Sequence, residues 1–373
     1  MAPILQVMTI NISVPTHICE IEPYQGGRPI KEVARELNLV ESKIIKLASN
    51  ENPLGVSPRV KKIIQRSFDG VERYPDGNGY YLKQAIATKF NLADRQIILG
   101  NGSNDILELV ARTFLTSSDE AIFSKHAFAV YKLVVKATGA KGLEVPAKNY
   151  EHDLEAFKKA ITTKTKVIFI ANPNNPTGTL IEKKALYDFL STVPKTVIVV
   201  LDEAYDEYLG DELKSEAFAW LEKFPHLLIS RSFSKAHGLA GLRVGYGVTD
   251  QRLADYMNRI RQPFNVNYVA QLAAIESLAD DDFLKKSKQT NDEGMQQLTI
   301  GFEALNIKYI PSYGNFISFK LKDEQAAMMY YHHLLKNGVI VRPIANYGMP
   351  DFLRVSIGLR NENKIFLDQL ASI

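Results

Sequence analysis

Leu227-Leu228-Ile229-Ser230-Arg231-Ser232-Phe233-Ser234-Lys235-Ala236-His237-Gly238-Leu239-Ala240-Gly241-Leu242-Arg243 is a short apolar run that opens into a loop of hydroxyls, an amine and a guanidinium. An apolar run of this length followed by polar residues predicts a strand covered on both faces. A lysine just beyond a buried strand is costly unless something uses it. Ser232, Ser234 and Arg243 can each contribute to a dianion site, Arg243 through a fork of donors. An amine beside such a site is what pyridoxal phosphate chemistry requires: the amine forms a Schiff base with the cofactor aldehyde, and its neighbours bind the phosphate. The other reading is a surface loop with scattered hydroxyls and charges.

Upstream, Val199-Val200-Leu201-Asp202-Glu203-Ala204-Tyr205 predicts a second buried strand with Asp202 at its C-terminal end, where open α/β sheets place ligands. A carboxylate there can pair with a protonated pyridine nitrogen and keep the ring electron-poor; it can also simply cap the next helix. Tyr205 could donate to the cofactor's phenolate oxygen, and Glu203 is expected to be solvated. Asn172-Pro173-Asn174-Asn175-Pro176-Thr177-Gly178 follows another β-branched run, Val167-Ile168-Phe169-Ile170. Two prolines make it a rigid turn that holds the Asn175 amide at the sheet edge, as a second phenolate donor or as a plain turn. Gly100-Asn101-Gly102-Ser103-Asn104-Asp105 joins a strand to a helix but lacks the third glycine of a dinucleotide loop. It reads better as a phosphate cradle: Gly102 permits close approach, and the Ser103 and Asn104 N–H groups point from a helix N-terminus. Asp105 is expected to face away. Phe128 can stack on an aromatic ring or fill a core. Arg342 and Arg354 lie in predicted strands, where an arginine needs an anion partner, from a ligand or within the protein.

The remainder of the chain frames these segments. Helical patterns at Arg59–Phe68, Tyr81–Phe90 and Ile106–Phe114 alternate with short runs at Ile97–Leu99 and Val244–Val248, predicting an α/β region from about Leu47 to Phe264. Beyond it, helical patterns at Val269–Leu278, around Lys285–Gln297, at Gln325–Lys336 and at Glu362–Ala371 alternate with strand candidates Ile307–Ile310, Phe316–Leu321, Val339–Val341 and Phe352–Ser356. They predict a smaller α+β domain. The expected division is an N-terminal arm and segment packing with the small domain at 1–46, a large domain at 47–266 and a small domain at 267–373. Forty-five Lys+Arg against 42 Asp+Glu leave a dispersed +3, too little for nucleic acid or anionic membrane as a main partner. The single Cys19 rules out an internal disulfide and a cysteine-based zinc site, and the histidines show no metal-ligand spacing, so no metal is expected. Residues 1–19 carry no charged side chain, yet they lack a basic n-region, and Pro3, Gln6, Thr9, Asn11, Pro15 and His17 interrupt any apolar core. The expectation is a cytoplasmic protein with a loose arm and no membrane contact.

The order Asn175, Asp202, Lys235, Arg243, Arg354 resembles the fold-type I pyridoxal-phosphate aminotransferases of class II. The likeness extends to the histidinol-phosphate aminotransferase family through Pro23-Tyr24-Gln25-Gly26-Gly27-Arg28-Pro29, Lys46-Leu47-Ala48-Ser49-Asn50-Glu51-Asn52-Pro53-Leu54-Gly55, Arg73-Tyr74-Pro75-Asp76-Gly77 and Val339-Ile340-Val341-Arg342-Pro343, and runs from about residue 20 to the C-terminus. It implies a large domain with a mixed, mostly parallel sheet between helices and a smaller α+β domain. It implies that Lys235 carries the cofactor and moves the proton, that Asp202 pairs with the ring nitrogen, that Asn175 and Tyr205 bind the phenolate oxygen, and that Phe128, often Tyr in the family, covers the ring. Gly102, Ser103, Asn104, Ser232, Ser234 and Arg243 would hold the phosphate, with Tyr74 reaching the neighbouring subunit of an obligate homodimer. Arg354, helped by Arg342 and Tyr24, would bind the substrate phosphate and the glutamate carboxylate, and Asn50 would line the substrate site. The implied reaction interconverts histidinol phosphate and imidazole acetol phosphate with glutamate and 2-oxoglutarate, in histidine biosynthesis. Rival expectations are aromatic amino acid transamination, phosphothreonine decarboxylation, a nicotinamide-dependent dehydrogenase, and a non-catalytic cofactor-sensing domain of a transcription regulator. The last is disfavoured by the short stretch before residue 20 and by the charge, which leaves no basic footprint.

Overall fold

The structure is a computed structural model that describes residues 12–373; the first eleven residues of the expected arm lie outside the described part. Its main sheet has seven strands: β1 (Ile97–Gly100), β2 (Glu120–Ser124), β3 (Lys141–Val145), β4 (Thr165–Ala171), β5 (Ile198–Asp202), β6 (Leu227–Ser232) and β7 (Gly245–Thr249). Their order across the sheet is β1-β7-β6-β5-β4-β2-β3. Pairings β3 to β2, β2 to β4, β4 to β5 and β5 to β6 are parallel, whereas β7 runs antiparallel to both β6 and β1. The apolar runs explain the layers. On β4, Ile168 and Ile170 join one core while Val167 and Phe169 join the other; on β5, Val199 and Leu201 face the first and Ile198 and Val200 the second. Alternation of this kind, with both faces apolar, is what a sheet sandwiched between helices needs.

The strand register places the chemistry on one edge. Asp202 pairs with Ala171 and Ser230, so the ends of β4, β5 and β6 lie side by side. Because β7 is antiparallel, its first residue, Gly245, pairs with Ser232 and with Gly100. Arg243 therefore arrives at the same edge as the loop after β1. A Cβ on Gly245 would lie 2.6 Å from the Ser103 N, so glycine alone lets the Ser103–Phe114 helix start against this strand.

A four-stranded sheet comes next, in the order Lys308–Tyr309, Phe316–Lys320, Phe352–Ser356, Arg342–Pro343, all antiparallel. Val33, Ala34, Ile44, Leu47 and Ala48 share its core with Phe302, Phe319, Phe366 and Leu334. Ile45–Lys46 pairs in parallel with Val339–Ile340, so the expected Val339–Val341 strand belongs to a separate two-stranded ribbon. At the described end of the arm, the short helix Thr16–Cys19 precedes Glu20, whose carbonyl and carboxylate are held by Lys136 at 2.7 and 3.2 Å.

Candidate active site

A cleft of about 360 Å³ opens between the edge of the main sheet and the four-stranded sheet. That is within the range of small-molecule sites. Asp202, Tyr205, Ser232, Ser234, Lys235 and Arg243 line it from the main sheet, with Ser103, Asn104, Phe128 and Asn175 on neighbouring loops. Arg342 and Arg354 line it from the small sheet, and Tyr24 and Asn50 from the N-terminal segment. Gly102 sits behind Arg243. Its φ is +81°, and a Cβ there would fall 2.4 Å from Arg243 Nη2, so only glycine allows the guanidinium this close to the helix N-terminus. Neither Gly102 nor Tyr74 lines the cleft itself, and Tyr74 points to solvent. It is 82% exposed and stacks on Phe264 at 4.7 Å.

At the end of β5, Asp202 is buried; its Oδ2 accepts 2.9 Å from the Tyr131 hydroxyl and its Oδ1 has no partner. It does not cap a helix. Burial pushes its carboxyl up to about 6, against the Tyr131 hydrogen bond, the Ala204 N–H and the charge of Lys235. Lys235 Nζ stands 5.6 Å from the Tyr205 ring centre and 3.5 Å from the Ser49 carbonyl. Burial pulls its amine down to about 8, and the nearby Arg354 charge adds to the shift. The Tyr205 hydroxyl accepts from Asn50 Nδ2 at 3.0 Å, and burial raises it well above an ordinary phenol. It keeps its proton and can donate it. Asn50 itself is braced on Ser356, which donates to its Oδ1 at 3.0 Å.

Arg354 donates to Asn175 Oδ1 and, at 2.9 Å, to the Ala48 carbonyl, and its guanidinium lies 5.2 Å from the Phe316 ring. Arginine can only donate, so this contact assigns the Asn175 oxygen to Arg354 and leaves the amide N–H groups as donors. Arg354 Nε is buried without a partner. Arg342 donates to the Gln25 carbonyl and packs 5.8 Å from the Tyr24 ring. On the far side, Arg243 Nη1 donates to Ser234 Oγ at 3.2 Å, and Ser232 Oγ accepts from the Ser234 N–H at 3.1 Å. Asp105 is turned to the Asn101 N–H and to Asn265, at 2.8 and 2.7 Å.

One expectation is corrected. Glu203 is not solvated but 1% exposed, bonded to Arg231 at 2.7 Å. Arg231 also holds Asp206 at 2.7 Å. A buried carboxylate needs a cation, and the arginine that supplies it stands on the neighbouring strand β6, at a position to which the sequence reading gave no role. Sequence reasoning also missed Tyr131, which follows Phe128 by three residues and turns toward the same Asp202, and Ser49 and Glu51 beside Lys235.

These residues fit pyridoxal 5'-phosphate. The unpartnered Asp202 Oδ1 suits a ring N–H, the depressed Lys235 amine suits an aldehyde, and Phe128 offers a ring face. The cradle of Gly102, Ser103, Ser234 and Arg243 suits a dianion. The sequence matches the Aminotransferase class I and II family over residues 42–370. It is 60% identical over 359 residues to the histidinol-phosphate aminotransferase of Methylobacillus flagellatus, covering 96% of each chain. It is 51% identical over 364 residues to histidinol-phosphate aminotransferase 2 of Nitrosospira multiformis, covering 98% of this chain and 92% of that one. The crystal structure of histidinol-phosphate aminotransferase from Sinorhizobium meliloti, in complex with pyridoxal-5'-phosphate, superposes with a TM-score of 0.90 over 98% of both chains at 24% identity, a likeness of fold. With 60% identity along nearly its whole length to a curated member, the chain belongs to the class I and II aminotransferases and, within them, to the histidinol-phosphate aminotransferases.

Proposed function

We propose that this protein binds pyridoxal 5'-phosphate and transfers the amino group of glutamate to imidazole acetol phosphate, giving L-histidinol phosphate and 2-oxoglutarate, reversibly, in histidine biosynthesis. The observation that carries the reading is the pairing of a depressed amine at Lys235 with an unpartnered buried oxygen of Asp202 in one cleft, faced by two arginines. Bound pyridoxal phosphate supplies an electron sink for the pair left when a substrate Cα loses its proton.

The protein's residues do the rest. Nζ of Lys235 would move the proton between the substrate Cα and the cofactor's C4′ carbon, a positioned acid–base role worth about 10²–10⁴-fold. Asp202 holds a proton on the ring nitrogen by pairing its charge with it. Tyr205 and the Asn175 amide donate to the phenolate oxygen. Arg243, Ser234, Ser232 and the Ser103 and Asn104 N–H groups hold the cofactor phosphate, and Phe128 covers the ring. Arg354, steadied by Asn175 and Ala48, binds the glutamate carboxylate and the substrate phosphate, with Arg342, Tyr24 and Asn50 beside it.

The proposal includes the division of the chain at 1–46, 47–266 and 267–373; the two sheets have separate cores, with Ala270, Ala273, Ala274 and Leu278 packed in that of the main sheet and Leu47 and Ala48 in that of the small one. It also includes a homodimer: Phe68, Val71, Tyr74, Tyr80 and Tyr81 expose large side chains in one stretch, as a surface covered by a second copy would, and Tyr74 is free to reach a partner's cofactor phosphate. The enzyme is placed in the cytoplasm, where its one free, exposed cysteine suits reducing conditions. Among the described residues no helix is long and apolar enough to cross a membrane.

Side-by-side kcat/KM values with 2-oxoglutarate as acceptor test the substrate. Histidinol phosphate should exceed phenylalanine by at least about tenfold, since a site built for a phosphate leaves arginine donors unpaired when it is missing. A preference for phenylalanine would make this an aromatic aminotransferase instead. The Lys235 amine gives a second test. It reacts only when neutral, so capture of the cofactor aldehyde by the apoprotein should accelerate as pH rises through about 8 and level off above. A rate independent of pH across that range would remove Lys235 from the role.

A further inference from the structure

Tyr131 is fully buried, and the transamination chemistry assigns it no step. It lies in the first turn of the helix Ala129–Ala137. Its ring is stacked on Phe169 of β4 at 4.9 Å and 14°, and is met edge-on by Phe128 at 5.9 Å and 89°. A ring packed from two sides has its hydroxyl placed by that packing. The hydroxyl donates 2.9 Å to Oδ2 of Asp202, 71 residues along the chain. With Oδ2 engaged, the oxygen left without a protein partner is Oδ1.

We infer that Tyr131 is a positioning residue: its hydroxyl orients the Asp202 carboxylate so that Oδ1 meets the ring nitrogen of the cofactor. This rests on the proposed pairing of Asp202 with that nitrogen. Phe128 immediately precedes the same helix, so one turn of backbone sets both the packing on the ring face and the pairing at the ring nitrogen. The bond also favours the charged carboxylate, since a donor stabilises the ionised form. The other groups facing Asp202 are the Ala204 N–H and Tyr205 from its own turn and Lys235 from the loop after β6; Tyr347 faces Tyr131.

The test is to titrate apoprotein with pyridoxal phosphate across the pH range, in the native protein, Tyr131→Phe and Asp202→Asn, with Tm and substrate KM recorded for each. Phenylalanine keeps the ring and both aromatic contacts. Tyr131→Phe should hold the cofactor about tenfold less tightly at neutral pH and begin to lose it about one pH unit earlier on the acid side, with Tm and KM little changed. If Tyr131→Phe titrates like the native protein while Asp202→Asn binds more weakly, the inference falls and the reading of Asp202 stands. If Asp202→Asn also titrates like the native protein, both fall. Phe169→Leu serves should Tyr131→Phe not fold: it loosens the clamp, keeps the hydroxyl, and should move the acid limb in the same direction by less. An unmoved limb in that variant overturns the inference as well.

Discussion

Lys235→Ala should still take up pyridoxal phosphate, lose it on gel filtration, and turn over at least about 10²–10⁴-fold more slowly. The cofactor's phosphate and ring contacts come from other residues: Arg243 and Ser234 are bonded to one another at 3.2 Å, and Asp202 hangs from Tyr131. Removing the amine leaves that cradle in place. What disappears is the lysine that lines the cleft, and with it the group able to bond to the aldehyde and to carry the Cα proton. Truncation is not expected to unfold the protein, because burial already disfavours the charged amine. Single-turnover amino transfer together with retention of cofactor on a sizing column checks both halves. Native turnover in this variant would refute the assignment.

Arg354→Gln should lower kcat/KM for glutamate and for histidinol phosphate together, by about 30- to 5000-fold. Truncating one partner of a buried charge pair costs about 2–5 kcal/mol, and each 1.4 kcal/mol is tenfold. Arg354 is held at both ends before any substrate arrives, by Asn175 Oδ1 and the Ala48 carbonyl, over the Phe316 ring. Burial lowers its affinity for its own proton, and its Nε has no partner, so an anion gains a rigid, poorly hydrated cation that needs no further ordering. Cofactor capture by Lys235 should persist in this variant, which separates lost substrate binding from a collapsed cleft. A loss confined to glutamate would assign the phosphate to another residue, with Arg342 first in line.

Much of this site was legible because its residues sit at the ends of strongly patterned strands. Leu227–Ile229 and Val199–Leu201 announce buried strands, and the loop that leaves such a strand lies at the sheet edge. Asp202 and Lys235 were therefore both at an edge before their separation was known. Tyr131 was not legible in this way. Its helix turns it toward Asp202, but only the parallel pairing of β4 with β5 sets Phe169 and Asp202 near one helix. Two strands were not among those expected, Glu120–Ser124 inside the sheet and its edge neighbour Lys141–Val145: Glu120 and Ser124 leave the first with only three apolar residues, and Lys141, Gly142 and Glu144 interrupt the second.

By itself, the amino-acid order determined the alternation of helix and buried strand, the chemistry of each loop, and the family. These depend on local periodicity and on residue types that cost free energy where nothing uses them. Only the tertiary structure decided that β7 runs antiparallel and so delivers Arg243 to the Ser103 helix. It alone brought Arg354 to Asn175, 179 residues away, and set Glu203 against Arg231 in the interior. The physical reason is that a hydrophobic pattern records how deeply a residue is buried and is silent about which residue it will be buried against.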